Sequence, residues 1–190
     1  MISLTGVVRM NHLEETHYIK RILDGEAALF SAFLEQYSHQ VFSLIVKIIP
    51  CREEAEELTQ DTFLKAFRKL DSFKGNSGFS TWLYRIAYNT AISATRKKKV
   101  SYPVFDERQF QNIPDQSVDA LLNHEEDESL IGKLEEAVEK LKPEERAVVA
   151  LYYQEDRSVA EIASVMQITP ENVKAKLFRI RKKIYTLVKN

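Results

Sequence analysis

A chain of 190 residues with 44% hydrophobic side chains has enough apolar material for one domain or two small ones, which argues against global disorder. Its 27 basic and 28 acidic residues nearly cancel to a net charge of -1, so indiscriminate nucleic-acid binding by the whole surface is excluded and the placement of charge carries the information. A single cysteine, Cys51, excludes an internal disulfide and suits a reducing cytoplasm, while His12, His17, His39 and His124 have no cysteine partners at metal-ligand spacing, so neither metal nor cofactor is expected.

With five Gly and five Pro, breaks are sparse and long helices are favoured. Met1–Met10 lacks the apolar run of a signal peptide, and no stretch approaches the roughly 20 apolar residues that span a bilayer. Residues 1–15 read as a loose extension and Thr16–Leu23 as a short helix ended by Asp24-Gly25. A long helix is predicted from Glu26 to Ile49, with Phe30, Phe33, Tyr37, Val41, Leu44, Ile45 and Ile48 as its buried stripe and Pro50 as its stop.

Arg52–Leu70 is the next helix. Ala55, Phe63, Ala66, Phe67 and Leu70 share one face, and Glu57, Asp61, Leu64, Lys65 and Arg68 the opposite one. The acids of its first turns favour the helix dipole, so part of that charge is structural. Leu64 among charges also fits a protein-docking face, and the residues alone leave the two readings level. Asp71–Phe79 is a loop broken by Gly75, Asn76 and Gly78. In the helix Ser80–Lys99, Phe79, Trp82, Leu83, Ile86, Thr90 and Ala94 are expected inward, and Thr81, Tyr84, Arg85, Tyr88, Ile92 and Arg96 outward. Outward aromatics interleaved with cations suit stacked bases and phosphates.

Ser101–Glu128 differs in kind: eight acids oppose Arg108, with Pro103 and Pro114 and no sustained periodicity, which reads as an acidic flexible linker. Helices resume at Ser129–Leu141 and Pro143–Gln154. The last stretch, Ser158–Lys183, reads as two short helices and a tight turn. Ser158 and Glu161 form a capping box, and Thr169-Pro170 is an N-cap followed by a residue suited to the first helical position. Val173, Leu177, Ile180, Ile184 and Leu187 line one face; Glu171, Lys174, Ala175, Phe178, Arg179 and Lys182 point away, with Asn172 and Lys176 on the flank. A helix packed by one face and basic on the rest is what the DNA major groove admits. The expected architecture is therefore all-α: two small helical domains, 16–100 and 129–190, joined by the acidic linker 101–128.

Three segments, in this order, resemble one family. Glu54–Leu64 (EAEELTQDTFL) is similar to region 2 of bacterial sigma factors of the extracytoplasmic-function group. Phe79–Asn89 (FSTWLYRIAYN) resembles that group's Trp-Leu-Tyr-Arg-Ile-Ala signature, and Glu161–Ala163 with Asn172–Lys183 resembles its region 4 helix-turn-helix. The resemblance implies a non-enzymatic promoter-specificity subunit of RNA polymerase, a monomer when free, with core polymerase, promoter DNA and an anti-sigma factor as partners and no membrane insertion. It implies core binding through Glu54, Glu57, Leu58, Gln60, Asp61 and Leu64. It assigns the −10 element to Lys74, Asn76, Ser77, Phe79, Trp82, Tyr84, Arg85, Tyr88, Asn89 and Arg96, with an extruded base held near Asn76. It assigns the −35 element to Glu171, Asn172, Lys174, Ala175, Lys176, Phe178 and Arg179, and lets the acidic linker thread the polymerase's RNA path.

The chain departs from the pattern at Gln167, where the family usually has Gly in the turn, and at Tyr88, Glu171 and Phe178. An ordinary dimeric helix-turn-helix regulator is the alternative binding reading. An enzyme lacks support, since there is no phosphate-cradling Gly-rich loop and no His placed with a nucleophile.

Overall fold

The computed structural model describes residues 10–96, 101–105, 108, 110, 113–114, 116, 118 and 128–189. Every regular element among them is helical, and the chain divides into two compact units, Met1–Ala94 and Thr95–Asn190. No helix of the described residues is long and apolar enough to cross a membrane.

In the first unit, helix α1 spans His12–Leu23, four residues earlier than Thr16. Asn11 caps it: its side-chain oxygen accepts from the N–H groups of Leu13 (3.0 Å) and Glu14 (3.1 Å), and Glu14 accepts from the Asn11 N–H at 2.8 Å. The expected extension over 1–15 thus gives way to helix from residue 12, and Met1–Arg9 lie outside the described residues. Glu15 is buried and accepts from the Tyr37 hydroxyl, tying α1 to the next helix. The chain turns at Gly25, whose φ of +113° only glycine adopts without strain.

The long helix predicted from Glu26 is a 3₁₀ turn, Ala27–Phe30, followed by α2, Ser31–Ile48. Its predicted stripe is buried throughout. Helix α3 (Arg52–Arg68) returns antiparallel to α2, since the Phe30 and Phe67 rings meet at one end (5.1 Å) and Arg52 lies over Phe42 at the other (5.3 Å). A 3₁₀ turn, Leu70–Ser72, leads through a loop to α4, Phe79–Thr95. Phe79 is the hub of this unit. Its ring lies 4.4 Å from Phe33, 5.6 Å from Tyr37, 5.6 Å from Phe73 and 5.5 Å from Trp82. Offset and edge-on rings of this kind add about 0.5–1.5 kcal/mol per pair to the area they bury. They also anchor both ends of the 73–79 loop.

The second unit contains α5 (Glu128–Glu139), α6 (Pro143–Val149), α7 (Val159–Met166) and α8 (Pro170–Lys189). The single helix predicted over Pro143–Gln154 ends early, in a π-helical turn at Ala150–Gln154. Asp156 follows with φ of +48°. Helix α8 packs against α5, α6 and α7, and Leu141, Leu151, Ile162, Val165, Val173 and Ile180 close the core. Part of the predicted flexible linker belongs to this unit: Phe110 and Val118 are buried in it.

Candidate nucleic-acid and protein interfaces

The first surface is the outer face of α3. Glu57, Gln60 and Leu64 are exposed, while Glu54, Leu58 and Asp61 are half-buried. Asp61 pairs with Lys65 one turn on, at 2.6 Å. Leu64 exposes 55% of its surface with acids on the preceding turns. Phe67, predicted buried, is 40% exposed because the Phe30 ring meets it edge-on and leaves one side open. Leu34 of α2 is exposed as well, an apolar residue off the α2 stripe, which was the signal that could have identified it. Between α2 and α3 a groove of about 480 Å³ is lined by His39, Phe42, Arg52, Glu56 and Gln60 among others, with Arg52 and Glu56 paired at 3.0 Å.

The second surface is the 73–78 loop with α4. Lys74 and Asn76 are exposed and Ser77 is half-buried. Gly75 has φ of +70°, so its left-handed turn aims this short loop outward without strain. On α4, Asn89 and the following Arg96 are exposed, and Trp82 and Arg85 half-buried. Three residues of the expected −10 set are not surface groups. Phe79 is fully enclosed by rings, and Tyr84 and Tyr88 are buried, as are Thr81 and Ile92 that were predicted outward. The reason is compositional. Leu83, Ala87 and Ala91 and the neighbouring row Tyr84, Tyr88 and Ile92 form one broad buried face of α4, while Arg85, Asn89, Ser93 and Arg96 run along its open side.

The third surface is the α7–turn–α8 unit. The Ser158 hydroxyl accepts from the Glu161 N–H at 3.2 Å, and Glu161 accepts from the Ser158 N–H at 2.9 Å, as the capping box requires. Burial would raise the Glu161 carboxyl. The Ser158 N–H and hydroxyl and the Arg157 guanidinium outweigh it and hold the group below the usual carboxylate range. Gln167 sits in the left-handed region (φ 56°, ψ 44°) where the family has Gly. The Thr169 hydroxyl then accepts from the Asn172 N–H at 3.3 Å and starts α8.

On α8, Glu171, Asn172, Lys174, Phe178 and Arg179 are exposed, and Ala175 and Lys176 half-buried. Arg179 folds back to the Ala175 carbonyl at 3.2 Å. Lys182 was expected to face away from the core; it is buried, with its ammonium on the Ile113 carbonyl. Arg181 donates to the Tyr153 hydroxyl (2.7 Å), and Lys183 pairs with Glu145. Arg181, Lys182 and Lys183 are therefore engaged within the protein, while Lys174 and Arg179 in the first three turns and Lys189 in the last are exposed.

Each unit also matches a known family. Sigma-70 region 2 matches residues 33–100, and Sigma-70 region 4 matches residues 131–184. The ECF RNA polymerase sigma factor SigW of Bacillus subtilis is 31% identical over 173 residues, covering 86% of this chain and 90% of its own length. The protein belongs to the extracytoplasmic-function group of the sigma-70 family. The sigma-E factor of Escherichia coli is likewise 31% identical, over 87% of this chain and 90% of its own length. RNA polymerase sigma-H factor of Pseudomonas aeruginosa is 29% identical over 90% and 92%. Two solved structures share the fold. RpoE of Bartonella quintana, in complex with the anti-sigma factor NepR, has a TM-score of 0.61 at 21% identity and covers 84% of this chain and 96% of its own. CnrH, in complex with the cytosolic domain of CnrY, has a TM-score of 0.63 at 18% identity, over 91% and 96%. As a sigma factor this chain is a non-enzymatic initiation subunit that binds core RNA polymerase and directs it to promoter DNA.

Proposed function

We propose that this sigma factor divides its work among the three surfaces. The outer face of α3 docks on core polymerase. Glu57 and Asp61 supply charge complementarity, and Leu64 with Phe67 and Leu34 supplies apolar area at the centre of a polar rim. The 73–78 loop, carrying Lys74, Asn76 and Ser77, captures a −10 base. Trp82, Arg85, Asn89 and Arg96 follow the strand along α4. Phe79 supports that loop from inside, and Tyr84 and Tyr88 act as packing residues of α4 in this form of the chain. The first three turns of α8 enter the major groove at the −35 element.

The observation that carries the reading is the open basic face of the first turns of α8: Lys174 and Arg179 are exposed and Lys176 half-buried, on a helix whose other face, Val173, Leu177 and Ile180, is buried. We also assign control to an anti-sigma factor, supported by the fold neighbour RpoE, which was captured with the anti-sigma factor NepR. The site of action is the cytoplasm, where promoter DNA and polymerase lie.

Sequencing the transcripts made on genomic DNA by purified core polymerase, with and without this protein, tests the proposal. New start sites sharing spaced −10 and −35 motifs are expected. Transcripts identical to those of core alone would defeat it.

A further inference from the structure

Counting from Glu171 along α8, the residues at i+3, i+4 and i+7 are Lys174, Ala175 and Phe178. Seven residues turn a helix almost two full times, so Glu171 and Phe178 share one side, about 10 Å apart along the axis. Val173, Leu177 and Ile180 are buried on the opposite side. On the outward ridge Glu171, Lys174 and Phe178 are exposed and Ala175 is half-buried. Recognition helices of the helix-turn-helix kind read base edges with residues at this spacing.

Two members of the ridge do not suit a surface that only grips phosphates. Glu171 is the one acid of α8, and its carboxylate opposes the attraction between the helix and the DNA backbone. The helix end does not need it as a cap, since the Thr169 hydroxyl already accepts from the Asn172 N–H. Phe178 leaves 48% of its surface open, with the Lys182 ammonium 5.1 Å from its ring centre. A cation over the ring is attracted to its negative face, which seats the ring against the helix.

We propose that Glu171 and Phe178 are specificity-determining residues of α8: Glu171 selects cytosine, and Phe178 selects thymine about two or three base pairs away. The proposal rests on the assignment of α8 to the −35 element. The chemistry of the major groove fixes the letters. An ionised carboxylate can only accept hydrogen bonds. Guanine and thymine turn acceptors to it, and the donor of adenine stands beside N7, an acceptor that repels the charge. Cytosine N4 is the donor without that neighbour on its own base. A phenyl ring desolvates an amino or carbonyl edge without replacing its hydrogen bond, and the thymine methyl is the apolar group the groove offers it.

The test uses core polymerase with the full chain, on a promoter found by the transcript sequencing above and randomised over its −35 element. Each template carries a transcribed barcode, so the transcripts report the base preference at every position. The wild type is expected to favour cytosine at one position and thymine about two or three positions away, each at least about fivefold over the other bases. Glu171→Gln should move the first preference from cytosine to adenine, whose N6 and N7 an amide can meet together. Glu171→Ala should flatten that position alone. Phe178→Ala should flatten the thymine position and leave the cytosine in place, and the double variant should combine the two changes. Uniform loss across all templates would overturn the proposal: Glu171 would then serve the helix dipole, and Phe178 a contact with protein. A wild-type preference that the variants leave intact would overturn the base assignments while the −35 assignment stands. No base preference in the wild type would remove both.

Discussion

Gln167 holds a left-handed backbone conformation, φ 56°, without being glycine. The β-carbon of an L-residue crowds the following carbonyl there, at roughly 1–2 kcal/mol. Gln167→Gly is therefore expected to stabilise the C-terminal unit by about 1 kcal/mol, visible as a higher urea midpoint at unchanged slope. This cost was legible through the family resemblance, which puts Gly at the turn where this chain has Gln167. Glu161 supplies a pH signature. Its carboxyl is held below the usual range in the folded state, so its contribution is complete above the unfolded value of about 4.3 and is lost as pH falls through the folded value. Thermal unfolding of the wild type and Glu161→Gln should differ at pH 7, and the difference should shrink as pH falls below the unfolded value. A gap that persists at low pH would mean that packing, and not the ionised carboxylate, does the stabilising.

At the scale of elements, α3, α4 and α8 are all amphipathic, and α4 has the broadest buried face. The α3 and α8 patterns allowed outward faces to be predicted, and Glu57, Leu64, Lys174 and Arg179 are exposed. On α4 the prediction that Tyr84 and Tyr88 face solvent failed, because tyrosine is apolar over most of its surface and widens the buried face that Leu83, Ala87 and Ala91 begin. The split faces allow the two functions to be separated by mutation. Glu57→Lys with Asp61→Lys is expected to weaken core polymerase binding at least about tenfold in a titration, through like-charge contacts and lost complementarity. Lys176→Ala with Arg179→Ala should leave that affinity intact and weaken promoter binding. Loss confined to particular −35 base pairs would mark base-edge contacts, and uniform loss would mark phosphate contacts.

For the whole molecule, two small units on one chain offer two modest grips on the same DNA. Binding of one raises the effective concentration of the other, so neither needs high affinity alone. The free sigma factor is expected to bind promoter duplex poorly in a gel-shift titration, and the holoenzyme at least about a hundredfold more tightly. Equal affinities would show that polymerase does not set the grip. Sequence by itself determined the helical class, the helix-turn-helix, its caps at Ser158 and Thr169 and the family, because caps and periodicities are short-range and each needs only a few neighbouring residues. It did not reveal the Asn11 cap as a helix start, since the apolar pattern after it is faint. Tertiary structure alone decided which cations of α8 remain on the surface. Lys182 meets Ile113 from 69 positions away, Lys183 meets Glu145 from 38 and Arg181 meets Tyr153 from 28. Along the chain these residues form one basic run. Partners so distant in sequence leave no local trace, and it is folding that gives those three charges partners within the C-terminal unit.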